Sequence, residues 1–289
     1  MKSKRFLPFV ALLLIGAAEG AHAQPLTERY ELGHRAGRFD LPGRLDEVSG
    51  LGFTPDGRLF AHGDERARFH EIDVAEGVVG KRFSLGDPAT HGDFEGMEII
   101  GERFFLIAST GFLYESREGS EDRDVVPFRA VDTGLGNRCE AEGLAYDPSR
   151  DELLVACKMS TPPRAEALIH RIPISPDQRR PDPIRIRTQQ LEALGYGAQF
   201  HPSGIAVDPE TGTLVLVSAR EELLVEADRE GNLVSAFQLS AARHPQPEGI
   251  AFGPDGTLYI ADEAAGRENS RITTYARHPE PSPASGGRE

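Results

Sequence analysis

The chain has 289 residues, 46 acidic against 32 basic side chains, a formal net charge of −14 and 39% hydrophobic residues. That acidic balance argues against nucleic acid and anionic membrane surfaces as partners, and it suits cations. The composition is that of one soluble globular domain, and no segment is apolar for long enough to span a bilayer.

In chain order, Lys2, Lys4 and Arg5 precede an apolar stretch, Phe6–Ala18, and a small-residue site, Ala21 to Ala23. This pattern predicts a secretory signal over residues 1–23, cleaved after Ala23. The expected location is therefore the periplasm or the exterior, with no stable membrane insertion after cleavage. Removing three basic residues and one acidic residue takes the net charge from −14 to −16.

The remainder repeats. Gly50, Gly96, Gly143, Gly204 and Gly249 each open an apolar strand, and most of these strands lead to a turn built on Asp-Pro or Pro-Asp-Gly. A period in the forties with several strands per unit predicts an all-β fold, a β-propeller over residues 24–277. The expected first blade is Gly50–Thr54, Arg58–His62, Arg68–Asp73 and Val78–Leu85. The second is Gly96–Ile100, Arg103–Ala108, Phe112–Arg117 and Val125–Val131. Blade three is Gly143–Tyr146, Leu153–Cys157, Ala167–Ile174 and Ile184–Arg187. Blade four is Gly204–Val207, Thr213–Val217, Leu223–Ala227 and Leu233–Leu239. Blade five has only Gly249–Phe252, Thr257–Ala261 and Arg271–Ala276 before a polar tail, residues 278–289, expected to be disordered. The segment Arg29–Leu41 supplies its fourth strand and removes an open sheet edge. The long interval between Gly143 and Gly204 reads as loops and a short helix, Gln189–Leu194, with a six-bladed ring as the alternative. Cys139 and Cys157 leave a disulfide open, because the drawn hairpin places Cys157 opposite residues 142–143, several residues from Cys139.

A propeller brings equivalent positions together around one axis. Just before each repeated glycine stand Ser49, Glu95, Glu142, Ser203 and Glu248; two residues earlier stand Glu47, Asp93, Glu140, His201 and Gln246. Period-2 alternation puts both sets on one side of each strand. The second strands end nearby with Asp64 and Glu65, Lys158, Arg220, and Asp262 and Glu263. Converging carboxylates either hold protons or bind a cation. Oxygen ligands in an irregular array fit Ca²⁺. The expected ligands are Glu95, Glu142 and Glu248, then Glu47, Asp93 and Glu140. Zn²⁺ or another divalent metal is the lesser alternative, raised by His62, His91, His201 and His244. Lys158 and Arg220, with Asp64, Glu65, Asp262 and Glu263, are candidate ligand contacts, for a small anion or a protein partner. No nucleophile elbow occurs, and Ser203 with His201 forms at most an incomplete dyad.

The motif set resembles the SdiA-regulated family. It consists of Glu47 to Leu51 with Asp64 and Glu65, Asp93 to Met97, Cys139 to Tyr146 with Lys158, Ser203 to Val207 and Gln246 to Ala251. The resemblance implies an envelope propeller tied to calcium in binding, homeostasis or signalling. A remoter similarity to phytase-like propellers, and turns shared with gluconolactonase-like ones, imply the alternative of a metal-dependent hydrolase of an ester, lactone or phosphate ester.

Overall fold

The computed structural model describes residues 24–160 and 165–279. The expected signal segment, residues 1–23, lies outside the described residues, as do Thr161 to Pro163 and most of the tail. Five sheets form five blades. A short helix α1 (Leu26–Arg29) and strand β1 (Gly37–Asp40) come first. Blade one is β2 (Val48–Phe53), β3 (Leu59–Gly63), β4 (Arg68–Asp73) and β5 (Val78–Leu85). Blade two is β6 (Phe94–Ile100), β7 (Arg103–Ala108), β8 (Phe112–Arg117) and β10 (Phe128–Asp132), with β9 (Asp124–Val126) between the last two. Blade three is β11 (Cys139–Asp147), β12 (Glu152–Ser160), β13 (Glu166–Pro173) and β14 (Ile184–Arg187), followed by helix α2 (Gln189–Ala193). Blade four is β15 (Gly204–Val207), β16 (Leu214–Ser218), β17 (Leu223–Ala227) and β18 (Leu233–Gln238). Blade five is β19 (Pro247–Phe252), β20 (Leu258–Asp262), β21 (Arg271–Tyr275) and β1.

The expected closure holds: β1 pairs antiparallel with β21, from Gly37 opposite Thr274 to Asp40 opposite Arg271. The ring has five blades, not six. The strand expected over Val125–Val131 is divided at Pro127, which has no N–H to give a ladder. Its first part, β9, crosses to blade one and pairs parallel with β5. The cysteines do form a disulfide, with Cα atoms 5.3 Å apart. Register shifts in the β11–β12 pair place Cys157 opposite Ala141, two residues from Cys139, closer than the regular hairpin predicted.

The apolar core is divided among five clusters, one at each seam between neighbouring blades. With no tryptophan available, phenylalanines fill the seam between blades one and two. Phe60, Phe69, Phe83 and Phe104 pack there with ring centroids 4.9 to 6.2 Å apart.

The repeated glycines stand where inner strands approach one another. A Cβ at Gly96 would lie 2.6 Å from the Leu144 amide nitrogen, and one at Gly204 would lie 2.1 Å from the Glu248 carbonyl oxygen. Around the axis Gly50 meets Met97, Gly143 meets Gly204 and Ile205, and Gly249 meets Gly50. Each inner strand therefore touches the backbone of the next blade. Gly204→Ala is expected to cost about 1–3 kcal/mol by overpacking, read from the urea midpoint; an unchanged midpoint would show that the ring widens freely.

The N-terminal segment is pinned by charge as well as by strand pairing. Arg29, 4% exposed, reaches Asp208 at 2.5 Å and Glu226 at 2.7 Å. Glu226 also accepts from the Leu26 amide and from the Ser235 and Thr213 hydroxyls. Removing the cation leaves two buried acids uncompensated. Arg29→Leu should therefore lose about 3–5 kcal/mol in chemical denaturation; a loss under 1 kcal/mol would place the anchoring elsewhere.

Candidate functional site: an acidic face around the propeller axis

The inner strands β6, β11 and β19 carry Glu95, Glu142 and Glu248 to one face of the ring. Glu142 and Glu248 are only 2% and 8% exposed. Burial raises the Glu95 carboxyl to about 9, and the charges of Glu142, Asp93 and Glu248 add to that effect. Burial takes Glu248 to about 8, reinforced by Glu263 and Glu142. Glu142 rises only to about 7, since Lys158 offsets its burial. The Lys158 ammonium donates to Glu142 Oε1 at 3.0 Å.

The flanking acids join the same field. Asp93 and Glu140, both exposed, act on Glu95 and Glu142 respectively. Glu263 is lifted to about 7 by burial and by Asp64 and Glu47. Glu47 is raised chiefly by the neighbouring Asp64, and Asp64 by burial. The acids form two groups. Asp93, Glu95, Glu140, Glu142 and Glu248 surround the axis. Glu47, Asp64, Glu65 and Glu263 line a cavity of about 650 Å³ at the seam between blades five and one.

Two expected residues go elsewhere. Asp262 is fully buried in blade five, where its carboxylate meets His244 Nδ1 at 2.9 Å; His244 Nε2 lies 2.6 Å from the Tyr275 hydroxyl. Arg220 is exposed and lies beside Glu221 and His201. The four histidines do not assemble. His201 Nδ1 is 2.7 Å from Glu221, His244 is held in the network just described, and His91 bridges to Arg66 through the backbone. His62 is buried with Nδ1 against the Gly63 carbonyl. Ser203 makes no dyad: its hydroxyl donates to the Pro247 carbonyl at 2.6 Å and so ties blade four to blade five. The serine in place of glutamate at this position is thus a ring fastener.

The axis itself is almost closed. At the level of the glycines, Ser49, Glu95 and Glu248 border a space of about 10 Å³, room for no more than one water. On the opposite face a separate hollow of about 140 Å³ contains Glu98. Glu98 accepts from the Ile99 and Tyr146 amides, which links blades two and three, and burial takes its carboxyl to about 7. Sequence reasoning missed Glu98 because it lies outside the repeat position. It also missed Arg44, Arg66, Arg68 and His70 in the seam cavity. The i, i+2, i+4 spacing of the last three is a one-face signal, but which seam they face depends on how the blades pack.

Fold and site together define a five-bladed β-propeller with an acidic face around a narrow axis. The family model for SdiA-regulated proteins matches residues 34–265, and the chain belongs to that family. Among solved structures it is similar to the glutaminyl cyclase of Myxococcus xanthus at 15% identity and TM-score 0.60, covering 84% of this chain and 95% of that one. A luciferin-regenerating enzyme is 11% identical with TM-score 0.53, covering 83% and 95% of the two chains. The PQQ-bound aldose sugar dehydrogenase of Streptomyces coelicolor is 13% identical with TM-score 0.50, covering 80% and 94%. At these identities the likeness is one of fold alone.

Lys158 and Glu142 offer a direct probe of the field. In Lys158→Gln the Glu142 carboxyl should titrate about one unit or more higher, followed by carboxyl ¹³C shifts; an unmoved midpoint would remove Lys158 from the account.

Proposed function

We propose that this chain is an envelope-located propeller that binds a divalent cation, Ca²⁺, on its acidic axial face and serves as a binding or regulatory protein. The observation that carries this reading is the convergence of three largely buried carboxylates, Glu95, Glu142 and Glu248, with Lys158 as the balancing cation. A dication there would neutralise charge that the folded chain otherwise suppresses with protons. The donors are hard oxygens. Among the described residues, the one trio of Cys, His, Asp or Glu ligand atoms within 4.8 Å of each other is Cys139, Cys157 and His170, whose sulfurs are already bonded together. The axial acids are therefore too far apart, as placed, for three of them to contact one ion directly, so a cation there would be held partly through water; the choice of Ca²⁺ over Zn²⁺ rests on the hard oxygen donors. The calcium link implied by the family resemblance supports the same choice.

Binding is favoured over phosphate-ester hydrolysis by the placement of the cations. Lys158 is committed to Glu142, and Arg220 stands beside Glu221 and His201. Among the described residues, no pair of basic groups is left at the axial acids to receive a phosphoryl group.

The raised carboxyls set the sign of the pH dependence. The unfolded chain releases these protons near pH 4.5, whereas the folded chain holds them to about 7 to 9. The folded state binds more protons in that window, so stability of the metal-free protein should fall as pH rises from about 5 to about 9. Ca²⁺ competes with those protons, so its stabilisation should grow with pH and reach about 2.7 kcal/mol at a hundred times Kd. Calorimetric melts at pH 5.5 and 8.5, with and without Ca²⁺, check this. Glu142→Gln with Glu248→Gln should weaken Ca²⁺ at least tenfold. No Ca²⁺-dependent shift at either pH would sink the reading.

A further inference from the structure

The seam cavity between blades five and one has two electrical poles. It is covered by the linker that carries the chain from β1 in blade five to β2 in blade one, and by the loop after β20. On one side stand Arg44 from the linker, Arg66 from just before β4 and Arg68 from its first position. Among the described residues none of these three guanidiniums has a carboxylate within 4.0 Å. Arg68 reaches only the Ser84 hydroxyl, at 3.0 Å. On the other side stand Glu47, Asp64 and Glu263. Acids and arginines share one cavity without pairing across it.

Two buried polar atoms in the lining are also without partners. His70 is 3% exposed, and its Nδ1 makes no hydrogen bond. Asp46 Oδ1, from the linker, is likewise unpartnered. Both atoms lie beneath the cavity surface, inaccessible to water, so they belong to the polar lining and are not themselves contacts for an occupant. The volume, about 650 Å³, lies within the range of small-molecule sites. An anion alone would satisfy one wall and repel the other, and a metal ion alone would do the reverse. A molecule with opposite charges at its two ends satisfies both.

We propose that this seam cavity binds a small zwitterion of short-peptide size, its carboxylate held by Arg44, Arg66 and Arg68 and its ammonium by Glu47, Asp64 and Glu263. The site is distinct from the axial carboxylates, although the charge of Glu263 also acts on Glu248. Because Arg44 and Asp46 lie on the closing linker, an occupant would also clasp the seam where the ring is joined.

The test is isothermal titration of the full chain with dialanine, trialanine and tetraalanine, in chelator and again in Ca²⁺. At least one free peptide should bind. Acetylating its amine or amidating its carboxylate should each weaken it at least tenfold. Arg44→Gln, on the exposed linker and so without consequence for folding, and Glu263→Gln should each weaken the free peptide by a similar factor. Arg44→Gln should leave the affinity of the amidated form unchanged. Absence of binding by all three free peptides overturns the proposal. So does equal affinity for the blocked forms in either condition, or inorganic phosphate binding as tightly as the best peptide, which would mark an anion site only. Failure here with a normal Ca²⁺ response would leave the axial reading standing, and the converse also holds.

Discussion

The structure depends on the approach of five inner strands to a single axis. At that axis there is no room for a side chain: at all five repeat glycines a Cβ would press within 3.2 Å of the next blade's backbone, and at Gly50 it would also meet His62. Glycine permits a close backbone approach that no other residue matches. The ring can therefore be small. Each blade is then buried on both faces against its neighbours, which is why β3, β16 and β20 are buried almost throughout. The closing strand β1 and the Arg29 anchor complete a circle that would otherwise end in an open edge.

A tight ring also concentrates charge. The residue before each glycine is brought toward the axis whatever its chemistry. Where it is serine, as at 203, it can fasten one blade to the next. Where it is glutamate, the carboxylates meet in a partly desolvated place and raise one another's proton affinity. The same geometry that stabilises the backbone therefore makes the axial face electrically demanding. That demand is relieved in part by Lys158. The seam cavity is different in kind, since there positive and negative walls coexist without contact.

Much of this was legible from residues. The spacing of Gly50, Gly96, Gly143, Gly204 and Gly249 specified blades, and the shortfall of strands after Arg271 specified closure by the N-terminal segment. The convergence of Glu95, Glu142 and Glu248 followed from the repeat. Asp262 was misplaced because adjacent residues on a strand point to opposite sides: Glu263 faces the acids while Asp262 turns inward to His244. Arg220 was misplaced because it lies beyond the end of β16, in the turn before β17. The disulfide depended on a bulge that no residue pattern announced.

Local sequence thus determined the strand order, the number of repeats and the identity of the residues delivered to the axis, because each is set by period and by turn chemistry within a blade. Tertiary structure alone decided which of those residues meet. Arg66 just before β4 and Arg68 and His70 on it alternate, but their cavity exists only because blade five and the linker close over them. Glu98 joins two blades only because β11 passes beside it. Contacts across a seam depend on how neighbouring sheets twist and pack, and that information is spread over the whole ring.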